Sequence, residues 1–268
     1  MILLPKAPKI ISEKENQAVF EVEALYPGYG ITIGNSLRRV LLSSLEGSAV
    51  TQMKIKGVQH EFSTIPGIAE DVITIAMNLK QLRFKVHSAD PVKISLKVKG
   101  EKEVKGSDFK LPSQIELVNK SAHIAALTSK SAELDMEIQV EKGIGYQPVE
   151  SRKKQEKLEI GTIPIDAIFT PIRRVNYTVE NMRVGDRTDF DRLRLDITTD
   201  GTITPKKAFC QAVKVLLDHF CLFVNELTSD SDFKKASAVK AEKKGAKKKK
   251  EALGKEDKNK SKTAKKDK

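Results

Sequence analysis

The chain is poor in the residue types that build disulfide scaffolds and metal centres. Its 268 residues include no tryptophan, two cysteines and four histidines, and 5% are aromatic. Cys210 and Cys221 lie on one predicted helix, about 16 Å apart along its axis, which is too far for a disulfide. Their spacing puts both thiols on one helical face, where burial as small hydrophobic groups is expected. A disulfide framework and a zinc or iron–sulfur centre are therefore not expected, and a reducing compartment is favoured.

Long apolar runs are also missing. No stretch approaches the roughly eighteen consecutive apolar residues of a membrane span, and the opening segment MILLPKAPKI has too short an apolar run for a secretory signal. With 39% hydrophobic residues, the chain can still form one large domain or two modest ones. The sequence predicts a soluble protein that remains in the cytoplasm.

Positive charge is abundant but unevenly placed. The net charge is +12, and residues 234–268 alone carry +11, from sixteen lysines and five acidic residues. The preceding 233 residues are close to neutral, at +1, so a basic groove on a folded domain is not indicated. The tail has no aromatic residues and few branched apolar ones, which predicts disorder.

The lysine-rich tail is open to more than one interpretation. Lys247, Lys248, Lys249 and Lys250 are candidates for nonspecific contact with nucleic-acid phosphates. A solubilising or ribosome-associating tail without a specific role is an equal possibility. The alternative function for the whole chain is a free-standing basic nucleic-acid-binding protein, although few aromatic residues are present for stacking on bases.

Three segments alternate apolar and polar residues with a period of two, which is typical of half-buried strands. They lie at residues 92–98, 134–140 and 193–197. The lysine-rich stretch from Lys97 to Lys110 and residues 150–157 are interpreted as exposed loops or hairpins. Because helices and strands are mixed without a regular βαβ order, the predicted fold class is α+β.

Two helices are predicted from apolar residues at helical spacing. Thr204 and Pro205 begin a long helix that runs to Glu226, and its wide apolar stripe needs more than one packing partner. Pro66 is predicted to open the other, whose apolar face comprises Ile68, Val72, Ile75, Ala76 and Leu79.

The most informative segment is GYGITIGNSLRRVLLSSLEG, from Gly28 to Gly47. Asn35 or Ser36 can cap a third helix, whose apolar stripe continues until the closing glycine provides a left-handed stop. The glycines do not have the spacing of a phosphate-binding loop. Arg38 and Arg39 stand beside the apolar stripe, where guanidinium groups can pair with acidic groups on another surface.

A catalytic arrangement is not found in the sequence, and no cofactor is expected. Glu70 and Asp71 point about 100° apart on a helix, so a structural role near its positive end is favoured. The acidic and arginine residues from Arg183 to Arg194, Asp191 among them, are interpreted as ion pairs around a turn rather than a magnesium site.

The segment from Gly28 to Gly47 resembles the amino-terminal part of the bacterial RNA polymerase alpha subunit, whose first helix carries the run G-N-x-L-R-R-x-L-L-S-S. The resemblance continues in three further blocks, VQHEFSTIPGIAEDVITIAMNLK, EKGIGYQP and PIRRVNYTVENMRVGDRTDFDRLRLDITTDGTITPKKA. Together the four blocks span roughly residues 20 to 226 in the order of the family. Four blocks in the same order are much stronger evidence of a family relationship than a single helix-cap pattern.

The resemblance implies a homodimeric scaffold, without catalysis of its own, in a nucleotidyltransferase. A discontinuous dimerization domain (residues 1–46 and 172–228) would pair helices 35–45 and 205–226, and residues 47–171 would form an inserted strand-rich domain before a tail at 229–268. The implied partners are a second copy and the beta and beta-prime subunits, with omega and sigma in the complete enzyme.

Site residues follow from the same resemblance. Arg39 and Leu42 match contacts of the family with the beta subunit, and Arg38 is their neighbour. Lys80 and Ile165 match contacts with the beta-prime subunit. The expected dimer interface consists of Leu37, Leu41, Leu45, Val215, Leu216, Phe220 and Phe223. The family usually continues into a helical domain that binds promoter DNA, and the lysine-rich tail stands where its linker would begin.

Overall fold

The computed structural model describes residues 4–88, 90–152 and 161–227, with side chains up to residue 224. These residues form antiparallel sheets and four helices, which confirms the predicted α+β class. The helices are α1 (Tyr29–Ser43), α2 (Val72–Lys80), α3 (Val149–Arg152) and α4 (Pro205–Leu227), and one 3-10 turn covers Gly106–Asp108. The strands are β1 (Lys9–Lys14), β2 (Gln17–Leu25), β3 (Glu46–Ile55), β4 (Phe84–Val86), β5 (Val92–Lys99), β6 (Lys102–Lys105), β7 (Ile115–Leu117), β8 (His123–Leu127), β9 (Glu133–Ile144), β10 (Tyr146–Gln147), β11 (Thr162–Pro164), β12 (Ala167–Ile168), β13 (Ile172–Val184) and β14 (Arg187–Thr199).

The three predicted strands are confirmed as β5, β9 and β14. In β5 and in most of β9 and β14, buried residues alternate with more exposed ones, because successive side chains point to opposite faces of a sheet. Strand β14 is central in the sheet β1-β2-β14-β13, and β9 is central in the sheet β11-β3-β9-β5. Local alternation was therefore enough to locate one strand of the first sheet and two of the second.

In the described residues, two large hydrophobic cores accompany the two four-stranded sheets, and a third, small cluster consists of Ala49, Ala167 and Phe169. The smaller core joins one face of β1-β2-β14-β13 to α1 and the start of α4, where Phe20 stacks on Phe209 with ring centroids 4.7 Å apart. The larger core joins β3, β5 and β9 to α2 and to the ribbons β4-β7 and β6-β8. Each core buries one face of its sheet, as layered α+β packing requires.

Helix α1 begins six residues earlier than predicted. Its N-cap is Gly28, in a left-handed conformation with φ 84°, and no side chain of the cap residue takes part. Ser36 lies inside the helix and donates its hydroxyl to the carbonyl of Thr32. Gly47 is not a helix stop but part of β3, where a Cβ atom would overlap the carbonyl oxygen of Phe169.

Helix α2, in contrast, begins later than its proline suggested. Pro66 and Gly67 form a turn, Ile68 pairs with Leu127 rather than joining the helical face, and Asp71 is the N-cap, accepting a hydrogen bond from the amide of Thr74 at 2.9 Å. Glu70 instead accepts from the amide of Ala126 and contacts the imidazole of His123, both at 2.7 Å. The two carboxylates thus have separate structural roles, one capping α2 and one joining it to β8.

The stretch from Lys97 to Lys110 is not a simple exposed loop. It contains the end of β5, a turn at Gly100 with φ 83°, and strand β6, which pairs with β8. Val104 and Phe109 within it are buried in the larger core. Of the other predicted loop, residues 150–152 belong to α3 and residues 153–157 lie outside the described part of the chain.

The chain divides into two compact units at Leu216. In the first unit, Ala208 and Ala212 of α4 are fully buried in the smaller core, and Val215 and Leu216 are partly buried. In the second unit, whose described helical residues are 217–227, large apolar side chains are exposed. No helix among the described residues is long and apolar enough to cross a membrane.

Two predictions about buried side chains need correction. Leu37, Leu41 and Leu45 are at most 4% exposed and lie in the smaller core of a single copy, so they do not offer surface to a second one. Cys210 and Cys221 are both exposed rather than buried. Within the first unit, Ala208 and Ala212 form the buried face of α4, and Cys210 lies outside it.

Candidate assembly surfaces

The outer face of α1 presents the paired arginines. Arg38 and Arg39 are exposed, and within the part of the chain that the structure describes neither guanidinium group forms an ion pair. Leu42, 38% exposed, follows one helical turn later, while Leu37 and Leu41 face the core. The helix therefore offers two uncompensated positive charges beside an apolar side chain.

Close contact between α1 and its sheet depends on two glycines. A Cβ atom at Gly30 would come within 2.7 Å of Val179, and one at Gly34 within 2.8 Å of Tyr177 and 2.9 Å of Leu193. These positions lie on β13 and β14, so the helix backbone rests almost directly on the sheet. Gly30 and Gly34 are thus packing positions inside a helix.

The positive end of α1 is capped from a distant strand. Oδ2 of Asp191, on β14, accepts hydrogen bonds from the amides of Gly28 and Gly30, both at 2.9 Å. Asp191 was predicted to form ion pairs around the hairpin turn, and it is instead a buried cap, 6% exposed. Within the same hairpin, the predicted pairing does hold for Arg187 and Asp189, whose two contacts measure 3.0 and 2.6 Å.

A groove of about 620 Å³ brings Lys80 and Ile165 together. These residues are far apart in the sequence, and one ends α2 while the other follows β11. The groove is lined by Glu61, Ile73, Ala76, Met77, Lys80, Tyr146, Pro148, Val149, Glu150, Ile163, Pro164, Ile165 and Asp166. Both predicted beta-prime positions therefore belong to one surface feature.

The charge of Lys80 is compensated inside the groove. Its Nζ atom lies 3.1 Å from Oδ2 of Asp166, while Oδ1 of Asp166 accepts a hydrogen bond from the amide of Val149 at 3.0 Å. That amide, together with the Lys80 ammonium, lowers the pKa of the Asp166 carboxyl below its usual value. Ile165 is only 3% exposed, and its backbone is held by Thr51 and Arg152.

Sequence reasoning missed the exposed apolar side chains of this groove. Met77 is 52% exposed and Tyr146 is 59% exposed. Ile73 and Met77 lie four residues apart on α2, opposite its buried face and just before Lys80, so this exposed apolar pair could have been predicted from the sequence. Asp166 carried no local signal, because its partners come from α2 and α3.

Among the described residues, no three His, Cys, Asp or Glu side chains are grouped as a metal site requires. The two surfaces carry charged and apolar groups suited to binding another protein. What distinguishes the two surfaces is whether the cation already has an ion-pair partner among the described residues.

Comparison with known proteins first defines a class. The sequence family described as the RNA polymerase Rpb3/RpoA insert domain matches residues 53–170, which include the groove and most of the larger core. Full-length relatives extend the match beyond this region. The DNA-directed RNA polymerase subunit alpha of Symbiobacterium thermophilum is 49% identical over 223 residues, covering 83% of this chain and 70% of that protein.

Other alpha subunits give the same result. That of a Roseiflexus species is 49% identical over 81% of this chain and 66% of its own length, and that of Limosilactobacillus reuteri is 47% identical over 80% and 68%. This chain therefore belongs to the family of DNA-directed RNA polymerase alpha subunits. The matched region spans about two thirds of the length of these relatives.

Proposed function

We propose that this chain is the homodimeric scaffold on which the beta and beta-prime subunits of an RNA polymerase assemble for DNA-templated transcription in the cytoplasm. The observation that carries this proposal is the presence of two separate surfaces, the α1 face and the groove, with different chemistry. A chain with two such surfaces can hold two different partners, and a dimer offers each surface twice.

The second copy is proposed to cover the exposed end of α4. Phe220 is 58% exposed and Phe223 is 57% exposed, and their neighbours Leu217 and Leu222 are similarly accessible. Apolar side chains at this density are unusual on the surface of a monomer. Val215 and Leu216, partly buried within one copy, would complete the interface, whereas Leu37, Leu41 and Leu45 would support α1 from beneath.

The beta subunit is proposed to bind the α1 face through Arg39 and Leu42, with Arg38 beside them. Uncompensated guanidinium groups favour a partner surface with carboxylates, which they can bind through two parallel hydrogen bonds. The beta-prime subunit is proposed to bind the groove at Lys80. Because the Ile165 side chain is buried, its contribution there would be to shape the wall of the groove.

The domain division is part of the same proposal. Residues 1–46 and 172–228 would form the dimerization domain, since the smaller core is built from these segments. Residues 47–171 would form the inserted domain, whose interior is the larger core. Omega and sigma would join only in the complete enzyme.

The experiment that tests the scaffold is a mass measurement by light scattering on the full chain. We expect twice the chain mass for the wild type, and the single-chain mass for Phe220→Glu combined with Phe223→Glu, because a charge on each exposed ring opposes burial. Addition of beta and then beta-prime should raise the mass in steps. A wild-type monomer that binds neither subunit would refute the proposal.

The lysine-rich tail is proposed to contact DNA without reading its sequence. Lys247, Lys248, Lys249 and Lys250 lie outside the described residues, so the proposal rests on their charge alone. If about six lysines bind phosphates, the logarithm of the affinity for DNA should fall with the logarithm of the salt concentration, with a slope of about −5. Deleting residues 234–268 should remove that slope in the assembled enzyme; an unchanged slope would exclude the contact.

A further inference from the structure

Helix α1 has no capping side chain of its own, and its first turn is held by one carboxylate from another part of the chain. Oδ2 of Asp191 accepts hydrogen bonds from the amides of Gly28 and Gly30 at 2.9 Å each. Across the described residues 4–88, 90–152 and 161–227, Asp191 forms no ion pair with lysine or arginine. Its charge therefore faces the positive end of the helix dipole.

The surrounding geometry leaves little freedom at this contact. A Cβ atom at Gly30 would lie 2.9 Å from Oδ2 and 3.0 Å from Cβ of Asp191, so the helix backbone touches the side chain that caps it. On the adjacent strand β2, Ala24 has the left-handed φ of 62°, and the register with β14 shifts between Asp191 and Leu193. This bulge precedes the loop that delivers Gly28 to the carboxylate.

We infer that Asp191 is a positioning residue for the α1 face: its carboxylate fixes the rotation and axial position of α1, and thereby the placement of Arg39. Moving the helix would break both hydrogen bonds and leave a buried carboxylate without partners, which is costly. Arg39 lies nine residues beyond Gly30, about 14 Å along the same rigid helix. The link to beta binding rests on the function proposed above.

A binding cycle on the full chain tests whether Asp191 acts through Arg39. We expect Asp191→Ala to weaken binding of the beta subunit by about fivefold to tenfold, because the free energy with which a cap normally holds a helix in place would have to be supplied by binding. In an Arg39→Ala background the same change should have less than about a twofold effect, since residues acting as one unit are not additive. Equal losses in both backgrounds would mean general destabilisation and would overturn the inference.

Two further variants separate the charge from the fold. Asp191→Asn keeps an oxygen acceptor and should lose less affinity than Asp191→Ala, which also guards against a variant that does not fold. Asp196→Asn is the matched control, because Asp196 lies on the same strand and bonds Gln17 rather than α1. It should leave beta binding unchanged.

A measurement without the beta subunit keeps the inference testable if the proposed function fails. Spin labels can be attached after Asn35→Cys and Thr178→Cys, both at exposed positions, with Cys210→Ser and Cys221→Ser to remove the native thiols. We expect a narrow distance distribution that broadens or shifts with Asp191→Ala and stays unchanged with Asp196→Asn. An unaltered distribution would refute the positioning role, whereas normal beta binding by Arg39→Ala would refute only the proposed contact.

Discussion

The α1 face and the groove both carry positively charged side chains, but in opposite states. Arg38 and Arg39 are exposed without an ion-pair partner among the described residues, whereas the ammonium of Lys80 lies 3.1 Å from the Asp166 carboxylate. The exposed groups beside Lys80 are apolar, with Met77 and Tyr146 both more than half accessible. Basic side chains thus provide an unpaired charge on the α1 face and a neutralised charge in the groove.

This difference predicts two kinds of partner surface. A partner at α1 gains most from carboxylates, because the guanidinium groups keep their full charge and hydrogen-bonding capacity. A partner at the groove gains most from apolar side chains, since a carboxylate would have to displace Asp166 from Lys80. Four experiments can contradict or refine the contrast.

The largest effect is expected at Arg39. Arg39→Ala should weaken beta binding about 50-fold, as the loss of an arginine hot spot does, and should leave beta-prime binding unchanged. Titration of each purified subunit against the full chain, followed by fluorescence anisotropy, measures both affinities. Lys93→Ala is the control, because Lys93 is an exposed cation on β5, paired with Glu137. Equal losses with both partners would contradict the separation of the two surfaces.

A smaller effect, on binding of the other subunit, is expected in the groove. Met77→Asp should weaken beta-prime binding about tenfold, because docking would bury an unpaired carboxylate, and should leave beta binding unchanged. Met77→Leu keeps the apolar character and serves as the matched variant. The same anisotropy titration applies. Retained beta-prime affinity in Met77→Asp would mean that the groove is not the contact.

Salt should distinguish the surfaces without any substitution. Between about 0.1 and 1 M salt the Debye length falls from about 10 Å to about 3 Å, which screens exposed charges. Beta affinity should fall about fivefold, and beta-prime affinity less than about twofold. Isothermal titration at several salt concentrations measures both. A steeper dependence for beta-prime would show that Lys80 binds its partner through charge.

The smallest effect concerns pH. Hydrogen bonding to Glu70 raises the pKa of His123 above its usual value, despite some burial, and Glu103, itself paired with Lys105, adds to the shift. At pH values below the usual pKa of histidine, charged His123 on β8 therefore stabilises its contact with Glu70, the residue before the N-cap of α2. That stabilisation is lost as pH rises through the raised pKa of His123.

Beta-prime affinity should accordingly fall by about twofold between about pH 6 and pH 9, whereas beta binding, which does not involve the contact between His123 and Glu70, should not change with it. Parallel titrations across this range make the measurement. His123→Gln should flatten the profile. A dependence that persists in that variant would assign it to another group.

The limits of prediction from the sequence are clearest at α1. The three strands at 92–98, 134–140 and 193–197 were found because alternation is a local property of the chain. The start of α1 was missed because its cap, Asp191, lies 161 residues beyond Gly30 and only the bulged pairing of β2 with β14 brings them together. No local pattern around Asn35 could reveal that partner.

Which surface covers an apolar residue could also not be predicted from local sequence, as the α1 stripe and the groove both illustrate. The stripe of Leu37, Leu41 and Leu45 was recognised as apolar, but the sequence could not show whether the covering surface belongs to the same copy or to a second one. The groove escaped prediction because its walls come from α2 and from segments about 70 to 90 residues later. Lys80 and Ile165 came only from the family resemblance.

The crossing of Gly47 and Phe169 has a consequence for protein engineering. Gly47 lies where the chain leaves α1 for β3, and Phe169 lies just before β13, so the intervening region departs and returns at one point. Domain grafts succeed where the two ends of the exchanged segment lie close together. We therefore expect the segment between these two residues to tolerate exchange for an unrelated domain with adjacent termini, provided the glycine at the junction is retained.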